Sequence, residues 1–439
     1  MERKAARGLC ILAQSAEANP RNPRKIGVLS LDPILLIGEM EVLMHGTALP
    51  NLAQVDLNRT PFVAIWETTR ACDLACRHCR AEAISSPLPG ELTTVEGMRL
   101  LDELADMGTP ICVLSGGDPA KRRDLLELVR HGTKRGMRMA TIPAATPLLT
   151  RSLVSALKEA GLAQMALSLD GPDAEIHDSF RGVPGAFDRT LEGALYAREA
   201  KLPLQINTVF SSHNRRHFDA MSDLVQELGV VFWEVFFLVP MGRGRELGQM
   251  NGTQFEELFA KLAAVAKQVD FIVKVTEAPH YRRYLMQQKA KENRQHGGVS
   301  TVSAREKGML PAHMRRDFGP GGSIGLAPKG VNSGNGHLFI SYCGDIYPSG
   351  FLPLACGNLR SDSVTKVYRW HRVFMELRTP DLLKGKCGIC EFRHICGGSR
   401  ARSYAMTNDY LAEEPFCAYE PRLASPTPTE PATLGVNGR

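Results

Sequence analysis

The stretch Phe62-Val63-Ala64-Ile65-Trp66-Glu67-Thr68-Thr69-Arg70-Ala71-Cys72-Asp73-Leu74-Ala75-Cys76-Arg77-His78-Cys79 runs from a short apolar segment into a loop whose cysteines are spaced C-x-x-x-C-x-x-C. Downstream the apolar pattern recurs. Short runs rich in β-branched residues alternate with longer amphipathic stretches, the mark of consecutive βα units and a parallel sheet. Strands are expected at Phe62 to Trp66, Ile111 to Leu114, Arg138 to Ile142, Met165 to Leu169, Leu204 to Val209 and Phe232 to Leu238. Helices are expected at Thr94 to Met107, Asp124 to Arg135, Thr150 to Ala160, Phe187 to Glu199, Phe218 to Leu228 and, after the last strand, Thr253 to Gln268. Six such units make an α/β fold, a partial (β/α)6 barrel of the TIM type, and in barrels the chemistry sits at the C-terminal ends of the strands. The cysteine loop leaves the first strand at that end.

Three thiolates on one loop can reach three irons of a [4Fe–4S] cubane. Clusters usually take four cysteines, and with no fourth nearby one iron is left to bind another ligand. Zinc is the alternative, with His78 or a distant group completing its four ligands. Further motifs follow the later strands. Ser115-Gly116-Gly117-Asp118-Pro119 ends the second, and alone it reads as a turn. The fourth ends in Ser168-Leu169-Asp170-Gly171 and the fifth carries Asn207, both also ordinary places for strand-end caps. The sixth runs into Val239-Pro240-Met241-Gly242-Arg243-Gly244, alone a Gly-rich turn. Arg181, in His177-Asp178-Ser179-Phe180-Arg181-Gly182, is a candidate partner for a carboxylate of cosubstrate or substrate, or half of a surface salt bridge.

Taken in this order, the motifs resemble those of the radical SAM superfamily. The resemblance implies a radical SAM barrel in which Cys72, Cys76 and Cys79 hold a site-differentiated [4Fe–4S] cluster. The open iron would take the amino and carboxylate groups of S-adenosylmethionine, and an electron from the cluster would cleave it to a 5′-deoxyadenosyl radical, the cofactor supplying the hard chemistry. Gly116, Gly117, Asp118 and Pro119 then correspond to the family's GGEP motif, with Asp118 in place of Glu. The glycines are expected to let backbone approach the methionine moiety where a Cβ would intervene. Ser168, Asp170 and Asn207 would contact the ribose and carboxylate, and Gly242 would lie on the adenine side. No side chain is assigned a catalytic role, because the hydrogen donor is on the substrate.

Four further cysteines gather near the C-terminus: Cys387-Gly388-Ile389-Cys390, then Cys396 and Cys417. This set resembles the SPASM extension of radical SAM enzymes, which implies a Cys-rich module with an auxiliary [4Fe–4S] cluster on four thiolates. Structural zinc is the alternative. Cys343 and Cys356 lie where a second auxiliary cluster would be fed, but Ser399 and Ser349 stand where relatives carry cysteine, so one auxiliary cluster is expected. Cys10 and Cys112 are expected to be uninvolved, Cys112 as a small buried hydrophobe. Ser349 to Leu354, Cys356 to Leu359, Cys390 to Arg393 and Arg400 to Tyr404 look like the branch containing the haem b synthase, other haem-modifying enzymes and peptide maturases. Two substrate classes follow from the resemblance. One is a tetrapyrrole whose propionates are oxidised, with the auxiliary cluster taking the electron and Arg400, Arg402 or basic linker residues binding carboxylates. The other is a ribosomally made peptide. A low-potential donor such as flavodoxin or ferredoxin would supply the electron for cleavage. A non-catalytic zinc or iron–sulfur protein on the same scaffold is a further alternative and predicts no cleavage.

The bulk numbers fit a metalloenzyme of more than one part. At 439 residues and 44% hydrophobic the chain is long enough for a large domain and a smaller one. The expected layout is a flexible leader (1–58), a barrel core (59–280), a linker or lid (281–336), the SPASM module (337–421) and a disordered tail (422–439). The net charge of +6 is modest for this size and comes partly from basic stretches near the N-terminus and from Lys289 to Arg316, so nucleic acid is not an expected partner. Eleven cysteines, mostly in two clusters, point to metal in a reducing compartment rather than a disulfide framework. The most apolar early stretch, Ile26 to Met44, is broken by Asp32, Pro33, Glu39 and Glu41 and falls short of the roughly 18 apolar residues of a membrane span. With no secretory apolar region either, a cytoplasmic protein is expected, its first residues a loose leader or preceding a true start near Met40 or Met44.

Overall fold

The computed structural model describes residues 55–295 and 330–422. Most of the expected leader, Cys10, the linker from 296 to 329 and nearly all of the tail lie outside the described residues.

The first half alternates strand and helix. It runs β1 (Val63–Glu67), α1 (Thr94–Asp106), β2 (Ile111–Ser115), α2 (Leu125–Lys134), β3 (Arg138–Thr141), α3 (Arg151–Glu159), β4 (Gln164–Ser168), α4 (Ala174–Arg181), α5 (Ala186–Glu199), β5 (Leu204–Phe210), α6 (Phe218–Glu227), β6 (Phe232–Phe237) and α7 (Gly252–Gln268). Every strand and helix expected there is present within about two residues. The caps explain the sharp helix starts. Thr93 and Glu96 close a capping box on α1, Thr150 Oγ1 accepts from Leu153 N at the head of α3, and Asn251 and Gln254 close a second box on α7.

Beyond α7 the chain departs from expectation. A seventh parallel strand, β7 (Ile272–Thr276), adds to β6, and α8 (His280–Gln295) occupies the start of the expected linker. Then come β8 (His337–Ile340), β9 (Asp345–Tyr347), β10 (Gly357–Asn358), α9 (Val364–Trp370), α10 (Arg372–Leu377), α11 (Gly385–Ile389) and α12 (Arg400–Thr407). β8 and β9 are the hairpin expected over His337 to Tyr347, but β8 also pairs in parallel with β1. The sheet therefore runs through the boundary drawn at residue 337. Its order is β10-β9-β8-β1-β2-β3-β4-β5-β6-β7, an open, curled sheet of α/β type and not a closed barrel.

Alternation along each strand divides the sheet into two faces. The outer row, in register from Ala64, Trp66, Cys112 and Leu114 round to Met165, Leu167, Ile206, Trp233 and Val235, is buried against leucines of α1, α2, α3 and α7. Each Leu, Ile, Val or Met of the row stabilises by about 1.5–3 kcal/mol when fully buried. Cys112 packs in this core with no exposure. The inner row carries the polar residues and lines the interior cavities. Among the described residues no helix is long and apolar enough to cross a membrane.

Candidate functional site

The cysteine loop is held from three sides at the C-terminal rim of the sheet. On one side the exit of β2 runs beside it: Gly117 N donates to Thr69 O and Asp118 N to Ala71 O, both at 2.7 Å. A Cβ on Gly116 (φ +145°) would lie 2.4 Å from Thr69 O, and one on Gly117 2.4 Å from Ala71 O. Contact with the cysteine loop itself thus already requires the glycine pair, which also lines the cavity beside that loop. On the second side the end of α4 accepts Ala75 N and Arg77 N at Arg181 O and Phe180 O, and His78 stacks on Phe180 at 4.4 Å. On the third, Arg243 donates to Cys79 O from its backbone and to Cys76 O from Nε.

The thiols of Cys72, Cys76 and Cys79 line a cavity of about 220 Å³, together with Gly116, Gly117, Ser168, His177, Arg181 and Asn207. Burial pushes the Cys72 thiol up to about 12 and raises Cys76, although the Arg181 guanidinium works against the latter. Three thiolates stand in such a pocket only with cations to neutralise them, which is what iron supplies. Arg181 Nη1 lies 3.6 Å from Cys76 Sγ, and Leu74 N donates to Cys72 Sγ at 3.4 Å. His177 Nδ1 accepts from Asp170 N, which places the ring proton on Nε2, a buried donor with no protein partner. Burial, with the Arg181 charge, lowers His177 to about 3, so the ring is neutral.

Four expected cofactor residues do not line this cavity. Asp118 is fully buried, its carboxylate accepting from Ala120 N, Ala144 N and Thr146 Oγ1, so it ties the β2 and β3 exits together. Pro119 follows it into a buried turn. Asp170 pairs with Arg181 and accepts from Val209 N at 2.7 Å; the pair is buried and not a surface salt bridge, and it anchors the guanidinium at the wall of the cavity. Gly242 packs on the cysteine loop, where a Cβ would meet Cys79 O at 2.5 Å.

Toward the sheet interior a second cavity of about 230 Å³ adjoins the first. Its wall carries a hydrogen-bonded row across four strands. Gln164 Nε2 donates to Gln205 Oε1, Gln205 Nε2 to Asn207 Oδ1 and Glu234 Oε2, while Lys274 Nζ and Thr276 Oγ1 donate to Glu234 Oε1. Asn207 is thereby oriented with its amide hydrogens as the part left for the cysteine cavity. The cations on this wall are Arg80, Lys274 and Arg282. Arg400 and Arg402, expected to bind carboxylates, are buried in structural bonds instead: Arg400 to Tyr410 O and Ala412 O, Arg402 to Glu414 and to the carbonyls of Phe237 and Leu238. Sequence reading missed the row because each member is an ordinary strand residue until the strands are set side by side.

Cys387, Cys390, Cys396 and Cys417 line one small cavity of about 30 Å³ with His280 and Arg283. N–H groups face its sulfurs: Glu414 N and Arg400 Nη2 toward Cys387 Sγ, Gly398 N toward Cys396 Sγ. Cys343 and Cys356 are elsewhere, Cys343 beside Ser341 and Asp345, Cys356 beside Leu354 O. Ser349 Oγ accepts from Phe351 N, and Ser399 caps α12 while donating to Glu277 at 2.5 Å. Among the described residues no three His, Cys, Asp or Glu side chains gather closely enough to hold a single metal ion.

Residues 66–225 match the model of the Radical SAM superfamily. The chain is 40% identical over 367 residues to a protein of Methanosarcina barkeri named AdoMet-dependent heme synthase, covering 84% of this chain and 99% of that one. A protein of the same name from Nitratidesulfovibrio vulgaris is 39% identical over 384 residues, covering 87% and 99%. The fold is shared with Streptococcus suis SuiB bound to S-adenosylmethionine, at a TM-score of 0.59 and 16% identity over 82% of this chain and 78% of that one. With similarity across nearly the full length of such relatives and a cavity lined by the three loop thiols, the chain belongs to the radical SAM superfamily, enzymes that work with a [4Fe–4S] cluster and S-adenosylmethionine.

Proposed function

We propose that this enzyme oxidatively decarboxylates propionate side chains of an iron tetrapyrrole, a step of haem formation. The observation that carries the proposal is the 40% identity over 99% of a protein named AdoMet-dependent heme synthase. Cys72, Cys76 and Cys79 would hold the cluster, and Ser168, His177 and Asn207 face the space beside it where the cosubstrate would lie. Gly116 and Gly117 line the same space while letting the β2 exit close on the cysteine loop, and Gly242 acts one step back, packed on that loop. When bound, the cluster and S-adenosylmethionine supply a 5′-deoxyadenosyl radical that removes one hydrogen atom from the side chain, after which loss of carbon dioxide and one electron leaves a vinyl group. The cavity bounded by Arg80, Gln205, Glu234 and Lys274 would present the substrate from the sheet interior.

The released electron needs an acceptor, and Cys387, Cys390, Cys396 and Cys417 are the donor set for an auxiliary [4Fe–4S] cluster to fill that role. Four thiols round one cavity, with N–H groups turned to the sulfurs, suit a closed cluster better than an open one. The reductant would be a low-potential protein such as a flavodoxin or ferredoxin, and the setting the cytoplasm. Anaerobically reconstituted protein incubated with reductant, S-adenosylmethionine and iron coproporphyrin III should release carbon dioxide and form vinyl-bearing product. If 5′-deoxyadenosine accumulates but the porphyrin returns unchanged, the substrate class is wrong, and modification of a peptide becomes the reading to test.

A further inference from the structure

The two cavities meet at a neck. Five residues line both of them: Arg80, Ser115, Ile142, Phe236 and Phe351. Three are apolar and suit the methylenes of a narrow side chain, and Arg80 alone of the five carries a charge. The Arg80 guanidinium sits over the Phe339 ring, 4.4 Å from its centre, and Nη2 donates to Glu67 Oε1 at 3.1 Å. Glu67 is only 4% exposed, so this contact fixes the guanidinium at the neck. A guanidinium has five N–H donors in a fixed fork, and the bond to Glu67 uses one. The other cations of the deeper cavity are engaged as well, and neither lines the neck. Lys274 is paired with Glu234 at 2.7 Å, and Arg282 donates to Val331 O and Ile395 O.

We propose that Arg80 binds the carboxylate of the side chain that is being processed, holding it in the neck so that the adjoining carbons face the cosubstrate cavity. This rests on the tetrapyrrole reading and sharpens it: the substrate carries a carboxylate on a short, flexible, saturated arm, and the arm enters the neck from the side of the deeper cavity. Glu67 is the positioning residue. It keeps the guanidinium aimed across the neck, where a fork of N–H groups matches the two oxygens of a carboxylate.

The test uses full-length, cluster-loaded protein with S-adenosylmethionine bound, titrated by absorption with iron coproporphyrin III and, separately, with its tetramethyl ester. Wild type should bind the free acid at least tenfold more tightly than the ester. Arg80→Gln should lose about tenfold for the acid and nothing for the ester, and Arg80→Lys should fall between, because a point charge replaces the fork. Equal losses for both ligands, or none for either, would overturn the assignment of Arg80 and leave the tetrapyrrole reading standing. Wild type that does not distinguish acid from ester overturns the assignment without any variant having to fold. Wild type that binds neither ligand overturns the tetrapyrrole reading, and the role of Arg80 with it.

Discussion

Cys76 and Cys390 have the same side chain and are expected to fail differently. Cys76 is buried in the loop cavity, 3.6 Å from the Arg181 guanidinium, whereas Cys390 lines the separate C-terminal cavity. Cys76→Ala should reduce 5′-deoxyadenosine formation to background. Cys390→Ala should cost about four irons yet keep the electron paramagnetic resonance signal that S-adenosylmethionine perturbs. Cleavage surviving in Cys76→Ala would place the open cluster elsewhere. The cysteines were legible because spacing alone carries their meaning. Asp118 and Asp170 were not: each stands in a motif that faces a ligand cavity, but its partners Thr146 and Arg181 come from later turns, and these direct the carboxylate inward. Arg80 gave one usable signal, its place directly after Cys79, and its meaning needed Glu67, Phe339 and Phe351 brought to the same neck.

Elements with an apolar rhythm were readable, and those without were not. α1 buries Leu100, Leu101 and Leu104 at helical spacing behind a capping box, and sequence places it almost to the residue. β7 interrupts its apolar run with Lys274 and does not stand out inside the expected barrel core, while α8, polar along its second half, runs into a stretch that composition marks as linker. The head of α1 also carries a testable charge. Glu96 accepts from Arg360 Nε at 2.7 Å and from Thr93 N at 2.8 Å, and the Arg360 contact, with the Thr93 amide, brings its carboxyl down to about 2 from an ordinary 4.5. A carboxyl whose folded value is depressed stabilises fully above its unfolded value and loses that contribution as pH falls through the folded one. Glu96→Gln keeps a capping side chain and removes the charge. Because the pair lies at the surface, with the Arg360 side chain 42% and the Glu96 side chain 23% exposed, the variant should be less stable by no more than about 1 kcal/mol at neutral pH. The gap should narrow as pH drops from 4.5 toward 2, read from denaturant midpoints. A gap of constant size across that range would mean the charge contributes nothing.

At the scale of the whole molecule, what periodicity cannot show is which distant segments join. The pairing of β8 with β1 closes a loop of more than 200 residues, and no local pattern encodes it. A second long-range link is built from charge. Arg402, on α12, has no exposed surface; it pairs with Glu414 at 3.2 Å and donates to Phe237 O and Leu238 O where β6 ends. Burial pushes Glu414 upward, but the Arg402 charge, helped by its other neighbours, brings it below its usual range, so it is ionised in the folded protein. One guanidinium thus joins the C-terminal cysteine module to the rim of the sheet beside the cosubstrate cavity. Arg402→Met keeps an apolar stem but removes the guanidinium that lies over Phe255 and Phe416, leaving the buried Glu414 carboxylate without its countercharge, with only the amides of Ser399 and Phe416 as donors, and two carbonyls without this donor. Removing one partner of a buried pair typically costs about 3–5 kcal/mol, and a loss of that order in thermal or denaturant unfolding is expected. Arg402→Met with Glu414→Gln should recover part of it, since a neutral amide is far less costly to bury than an unpaired charge. If the single variant unfolds within about 0.5 kcal/mol of wild type, the range ordinary for surface substitutions, the pair does not hold the two parts together. The pairing of β8 with β1 would then be left as the stronger tie.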